Sequence, residues 1–206
     1  MNVQISKGMD SLAFLAWAEG REGRYELANG RVVMMTGGSV GHALVVRGLF
    51  KALDARLADS TWIALTSDLA VRIGHNTVRY PDLVVHSRNA KLRDLAATDP
   101  VLIAEVLSPS SVTYDLGDKA AEYLRLEGVK TYLVLSQDEP KAWVWVRGAT
   151  GFPPGPEVLT GAEAVIRIPL LSSELPLAEI FREFPEPGAI DEQQHDGGTP
   201  SPPSDS

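Results

Sequence analysis

The sequence predicts a mixed α/β fold, a central mixed sheet with helices packed on it. Three observations lead there. Apolar residues recur at helical spacing from Val40 to Ala58. Several short segments are either wholly apolar or alternate polar with apolar, as strands do. The two kinds of segment follow one another as helix, hairpin, long helix, strands, helix, strands, an order that suits a sheet covered by helices.

The elements run as follows. Asp10 to Glu19 reads as a short helix, capped by Asp10 or Ser11, with Leu12, Leu15 and Trp17 as its apolar surface. Arg24 to Leu27 leads into Asn29-Gly30, a strong hairpin signal, and Arg31 to Met35 returns. After the break at Gly37-Gly38-Ser39, Leu44, Val45, Leu49, Leu53 and Leu57 mark the longest helix, Val40 to Ala58. Trp62 to Leu65 and Ser67 to Ile73 read as strands, followed by a turn at Gly74-His75-Asn76. Pro81-Asp82 opens the apolar run Leu83-Val84-Val85, and Val101 to Leu107 is a second such run, interrupted by Glu105. Asp115 to Glu127 reads as a helix stopped by Gly128. Thr131 to Leu135 and Lys141 to Val146 are strands, short extended pieces follow from Val158, and Leu177 to Phe181 makes a last helical turn.

With 206 residues and 44% hydrophobic content, the chain suits one ordinary domain, expected over residues 1–184. The Pro-, Gly-, Ser- and acid-rich segment 185–206 is expected to be a disordered tail. The absence of cysteine excludes disulfides, thiolate zinc sites and a cysteine nucleophile, and fits a reducing cytoplasm. The opening MNVQISKGMD lacks the pattern of a signal peptide, and no apolar run reaches membrane-spanning length, so a cytoplasmic protein is expected. The net charge of -8 argues against tight, non-specific binding to DNA. That argument weakens on inspection, because six acids and no Lys or Arg lie from Glu183 onward, leaving -2 for the body.

Glu105 carries the most chemical information. An ionised carboxylate inside Val101-Leu-Ile-Ala-Glu-Val-Leu107 is costly to bury unless a cation, a metal ion or open water meets it. Asp82 enters a similar run; alone, an Asp at a strand edge is more often a turn former than a ligand. Together the two acids would offer a hard cation such as Mg²⁺ an oxygen site, with coordination positions left for water and phosphate. Glu26 is either a solvated hairpin residue or a third acid. His42 either packs at the start of the long helix or contacts phosphate or water. Gly37 to Gly41 lacks the ending of a nucleotide-binding loop, and Ser108 and Ser110 lack a hydrolase elbow. Trp143 and Trp145 alternate on a strand and suit a core or an interface.

The series Tyr25-Glu26, Asn29-Gly30, His42, Pro81-Asp82, Glu105-Val-Leu-Ser-Pro-Ser110, Asp115 with Lys119, Tyr123 and Gly128-Val129 resembles the putative restriction endonuclease family of the PD-(D/E)xK nuclease superfamily. The resemblance covers roughly Tyr25 to Val146. It implies a restriction-endonuclease-like fold, and a metal-dependent endonuclease that hydrolyses DNA with Mg²⁺ or Mn²⁺. It implies Glu26, Asp82 and Glu105 as metal ligands, and Asp82, Glu105 and Lys119 as catalytic residues. One departure stands out. The superfamily places Lys two positions after the second acid, and here that position is Leu107. The resembled family carries a helix lysine in this region, which implies Lys119 as the substitute; the other reading of Lys119 is a surface ion pair with Asp115 or Glu122. A catalytically inactive binding or dimerisation module on the same fold is the alternative function, and a homodimer is a possible assembly in either case.

Overall fold

The computed structural model describes residues 8–97, 99–107 and 115–184, with Asp115 by its backbone alone. Helix α1 is Ser11–Ala18, and the Asp10 side chain caps it by accepting the Ala13 N–H at 2.8 Å. Strands β1 (Tyr25–Ala28) and β2 (Arg31–Met34) pair antiparallel across Asn29 and Gly30. Both turn residues have positive φ, 49° and 79°, as a two-residue hairpin of this twist requires. Helix α2 is Val40–Leu57, capped by the Ser39 hydroxyl on the His42 N–H. The strands β3 (Trp62–Thr66), β4 (Ala70–Arg72), β5 (Val78–Arg79), β6 (Leu83–Ser87), β7 (Ala96–Ala97) and β8 (Leu102–Val106) follow. A π-helical turn, Asp115–Lys119, runs into the short α3, Ala120–Tyr123. The chain closes with β9 (Thr131–Leu135), β10 (Lys141–Val146), β11 (Glu157–Thr160), β12 (Val165–Ile168), β13 (Ser173–Pro176) and α4 (Leu177–Ile180).

The predicted mixed sheet is six-stranded, in the order β11-β10-β9-β8-β6-β3. Only β8 and β9 pair parallel in it. β6, β8 and β9 are buried on both faces, which is why their sequences are apolar without alternation. Leu83, Val85, Leu102, Ala104, Leu133 and Leu135 meet the apolar stripe of α2 and the β13–α4 segment. Val84, Ile103, Leu107, Tyr132, Val134 and Trp145 point the other way and meet α3 with Tyr123. Trp145 is therefore core, and Trp143 is half-buried beside it.

A second sheet, β2-β1-β5-β4-β7, covers part of that far face, where helices alone were expected. Val71 and Ala97 of this sheet join the same cluster as Val84 and Ile103. Its outer side, with Leu27, Ala70 and Val78, is covered by Phe14 and Leu15 of α1. The two-residue strands β5 and β7 went unpredicted because so few residues cannot display a period. The predicted strand from Ser67 shrinks to Ala70–Arg72.

The predicted helix over Asp115 to Glu127 is corrected as well. It opens as a wide π turn and stops being helical after Tyr123. The stop has a visible cause: the Arg147 guanidinium, at the end of β10, donates to the carbonyls of Leu124, Leu126 and Val129. Those carbonyls are satisfied without a continuing helix. The tail 185–206 and the serines Ser108 and Ser110 lie outside the described residues.

Two predictions follow from packing. Gly48 of α2 lies against the Ile180 carbonyl so closely that a Cβ would overlap it. Gly48→Ala should cost about 1–3 kcal/mol through overpacking, a loss of several degrees in melting temperature, read by a thermal melt. His86, on β6, is buried, and neither ring nitrogen has a hydrogen-bond partner among the described residues. Burial holds its pKa below the ordinary 6.5, with the Asp94 charge opposing weakly. The unfolded chain thus takes up a proton that the fold resists. His86's contribution is complete above pH ~6.5 and is lost as pH falls below it. His86→Leu should flatten the stability profile between pH ~7 and ~5 in urea titrations.

Candidate functional site

The chemistry-bearing side chains gather between the two sheets, at the end of β8 where α3 packs. Strand geometry sends them there. On β1, Leu27 faces α1, so its neighbour Glu26 faces inward; on β5, Val78 faces α1 and Arg79 faces inward. Ile103, Glu105 and Leu107 share the far face of the six-stranded sheet by the same alternation. Three ionisable groups from different strands, Glu26, Arg79 and Glu105, are thereby each at most 5% exposed.

Their charges are met by one another. Arg79 grips Glu122 with two bonds, Nε to Oε2 at 2.8 Å and Nη2 to Oε1 at 2.9 Å. Its Nη1 donates to Glu26 Oε2 at 3.1 Å. Glu26 Oε1 accepts the Tyr80 N–H at 3.2 Å and lies 3.9 Å from Lys119 Nζ. Lys119 Nζ donates to Glu105 Oε1 at 3.0 Å, and the Tyr123 hydroxyl donates to the same oxygen at 2.9 Å. Burial, reinforced by the charges of Glu105 and Glu26, pushes the Tyr123 phenol well above its usual range, so it remains a donor.

Asp82 stands just before β6. The β6–β8 register pairs Leu83 with Ala104; continued by one residue, it sets Asp82 across from Glu105. Asp82 Oδ2 accepts the Val106 N–H at 2.8 Å, so the carboxylate touches β8 one residue past Glu105. The same oxygen is 3.1 Å from His42 Nε2. A carboxylate only accepts, which assigns the imidazole proton to Nε2 in that contact.

The predicted residues are thus placed as follows. Glu105 and Lys119 touch, and Lys119 links them to Glu26. Asp82 sits on the neighbouring strand's approach and makes its contacts with His42 and the β8 backbone instead. Lys119 is buried, 8% exposed, and the Glu122 carboxylate named in its alternative reading is held by Arg79; the Asp115 side chain lies outside the described residues. His42, ambiguous in the sequence, belongs to the site. Arg79 was missed. The one hint in the sequence was its place three residues before Asp82, with too short a strand around it to show an inward face.

Could a divalent cation be held here? Among the described residues, the carboxylates of Glu26, Asp82, Glu105 and Glu122 face the permanent cations Arg79 and Lys119. Two negative charges remain over, and oxygen donors of this type suit Mg²⁺ or Mn²⁺. No three His, Asp or Glu side chains among the described residues converge into a ready-made cluster. Asp82 and Glu105, set across from each other by the β6–β8 register, are the two acids that could hold a cation. Glu26, gripped by Arg79 and Tyr80, fits the support of Lys119 better.

Arg79 should be the electrostatic support of this region. Arg79→Leu leaves Glu26 and Glu122 without their partner and should cost about 3–5 kcal/mol. Adding Glu122→Gln should recover part of that loss, since one uncompensated charge is removed. Urea unfolding of the single and double variants checks both.

Comparison with known proteins accords with this geometry. A family model described as Uma2, putative restriction endonuclease, matches residues 12–178. The uncharacterized protein sll1609 of Synechocystis sp. is 28% identical over 141 residues, covering 66% of this chain and 80% of the relative. The uncharacterized protein slr1290 of the same organism is 32% identical over 129 residues, covering 60% and 66%. Among solved structures, a putative nuclease belonging to DUF820 from Anabaena variabilis superposes with a TM-score of 0.70. It shares 16% identity, and the match covers 85% of this chain and 98% of that one. At that identity the match speaks to the fold.

Proposed function

This chain belongs to the Uma2 family, described as putative restriction endonucleases, and from that premise we propose that it is a metal-dependent endonuclease that hydrolyses DNA phosphodiester bonds. One observation supports the reading most. The buried ammonium of Lys119 lies 3.0 Å from Glu105, so a cation stands beside the second acid although Leu107 occupies the usual position of the motif lysine. The function of the motif is met from the following helical turn instead.

The roles follow from the contacts. A bound Mg²⁺ or Mn²⁺ would polarise the scissile phosphate and lower the pKa of an attacking water. Asp82 and Glu105 would hold it. Lys119, with one acid on each side, offsets negative charge that builds on the phosphate during attack. Glu26 and Arg79 orient Lys119 from behind. Tyr123 fixes the Glu105 carboxylate by donating to Oε1. His42 holds Asp82 in place by donating from Nε2 to Oδ2.

A second reading has its own observation. Lys119 and Tyr123 both occupy Glu105 Oε1, and Arg79 holds Glu26, an arrangement that also suits a non-catalytic fold module in which internal cations replace the metal.

The two readings separate experimentally. Under the nuclease reading, Mn²⁺ raises the melting temperature of the parent and of Lys119→Met, while Asp82→Asn melts like the parent without metal and ignores Mn²⁺. Lys119→Met should lower single-turnover cleavage of DNA by at least about a hundredfold, the scale of losing one charge-stabilising donor. A parent protein indifferent to Mn²⁺ and unable to cleave would establish the module. A Lys119→Met variant as fast as the parent would remove Lys119 from the mechanism.

A further inference from the structure

Beside Asp82, a cleft of about 400 Å³ opens between α2 and the β3–β4 turn. Its lining mixes two chemistries. Arg24 and Arg47 are exposed cations on it, and His42 and Asp82 form its inner end. Val46 and Phe50, one helical turn apart on α2, give it an apolar wall. Phe50 is half-buried, anchored against the main core while it lines the cleft.

Neither arginine is committed to the fold's interior. Arg24 donates to the Ser67 carbonyl at 3.0 Å, which fixes its guanidinium at the cleft. Arg47 is paired with Glu183, and both are about half exposed. Exposed pairs of this sort are worth little to stability, so Arg47 can exchange Glu183 for another anion at small cost.

Resting on the nuclease reading, we propose that this cleft holds one unpaired nucleotide next to the phosphate to be cut, and that the substrate is DNA with a single-stranded or splayed strand at that point. The volume lies in the range of small-ligand pockets, about 300–1,000 Å³, which admits one nucleotide and leaves no room for a stacked base pair. An apolar wall with an aromatic ring suits a base face, which binds without regard to sequence. Two guanidinium groups suit the flanking phosphates. Asp82 at the inner end then repels phosphate from that end until a divalent cation is present, so the base enters along Phe50 and the backbone lies along the arginines. Glu183 acts as a competitor for Arg47.

The test uses the full-length protein in EDTA, where no cleavage occurs, and reads fluorescence anisotropy of a labelled short oligo(dT) and of the matching dA·dT duplex. The single strand should bind about tenfold more tightly than the duplex or better. Arg24→Ala and Arg47→Ala should each weaken single-strand binding several-fold and lower its salt dependence by about one unit. Phe50→Leu, which keeps a core-compatible side chain, should weaken it about fivefold or more. Glu183→Gln should tighten it, a direction that a merely structural role for Glu183 does not give. Equal binding of strand and duplex, with Arg47→Ala and Glu183→Gln unchanged, overturns the proposal. Cleavage assays with Mn²⁺ separate it from the reading beneath it. Binding as expected but no cleavage by the parent sinks the nuclease and leaves the cleft. Cleavage with an unaltered KM in the Arg24, Arg47 and Phe50 variants sinks the cleft and leaves the nuclease.

Discussion

Glu105 is an acid in the middle of a structure that otherwise excludes water. The strand that carries it is buried along its whole length, with apolar neighbours on both faces. A carboxylate in such surroundings is tolerated only with a charged or strongly donating partner. Lys119 and Tyr123 supply two donors to one of its oxygens, and they come from one stretch of chain, four residues apart on adjoining helical turns. Side chains four apart share a helix face, so one stretch of chain brings both to Glu105, at the junction where the π turn ends and α3 begins.

From that contact the rest of the inter-sheet layer is linked outward by charge. Lys119 lies between Glu105 and Glu26, Glu26 is held by Arg79, and Arg79 ties in Glu122 from α3. The small second sheet is therefore joined to the large one by an ionic seam as well as by the apolar contacts of Val71 and Ala97. Buried ion pairs of this type add little net stability compared with apolar packing, but breaking one partner is costly. Such a seam constrains where each group sits more than it strengthens the fold.

Much of the architecture was legible along the chain. The hairpin at Asn29-Gly30, the α2 stripe and the wholly apolar strands each carry a local signal, set by turn geometry or by period. The site was legible in part. Glu105 and Asp82 stand out because an acid in an apolar run is anomalous, and family resemblance singled out Glu26 and Lys119. Arg79 was hidden because β5 spans only Val78 and Arg79, too short to reveal a period or an inward face. His42 stayed ambiguous because its contacts depend on where the α2 N-terminus lies relative to β6, a distance no local pattern encodes.

The sequence by itself determined the long helix, the hairpin and the wholly apolar strands, that two acids would have to be reconciled with a buried sheet, and that no lysine follows Glu105 at the usual spacing. Those are consequences of period, propensity and solvation, all local. Tertiary structure decided the partners. It set Lys119 on Glu105, gave Glu122 to Arg79, placed His42 against Asp82, and opened the cleft lined by Arg24, Arg47 and Phe50. The reason is that Coulombic pairing and cavity shape depend on distances between residues far apart in the chain, such as the 53 positions separating Glu26 from Arg79. Those distances exist only once the two sheets have packed.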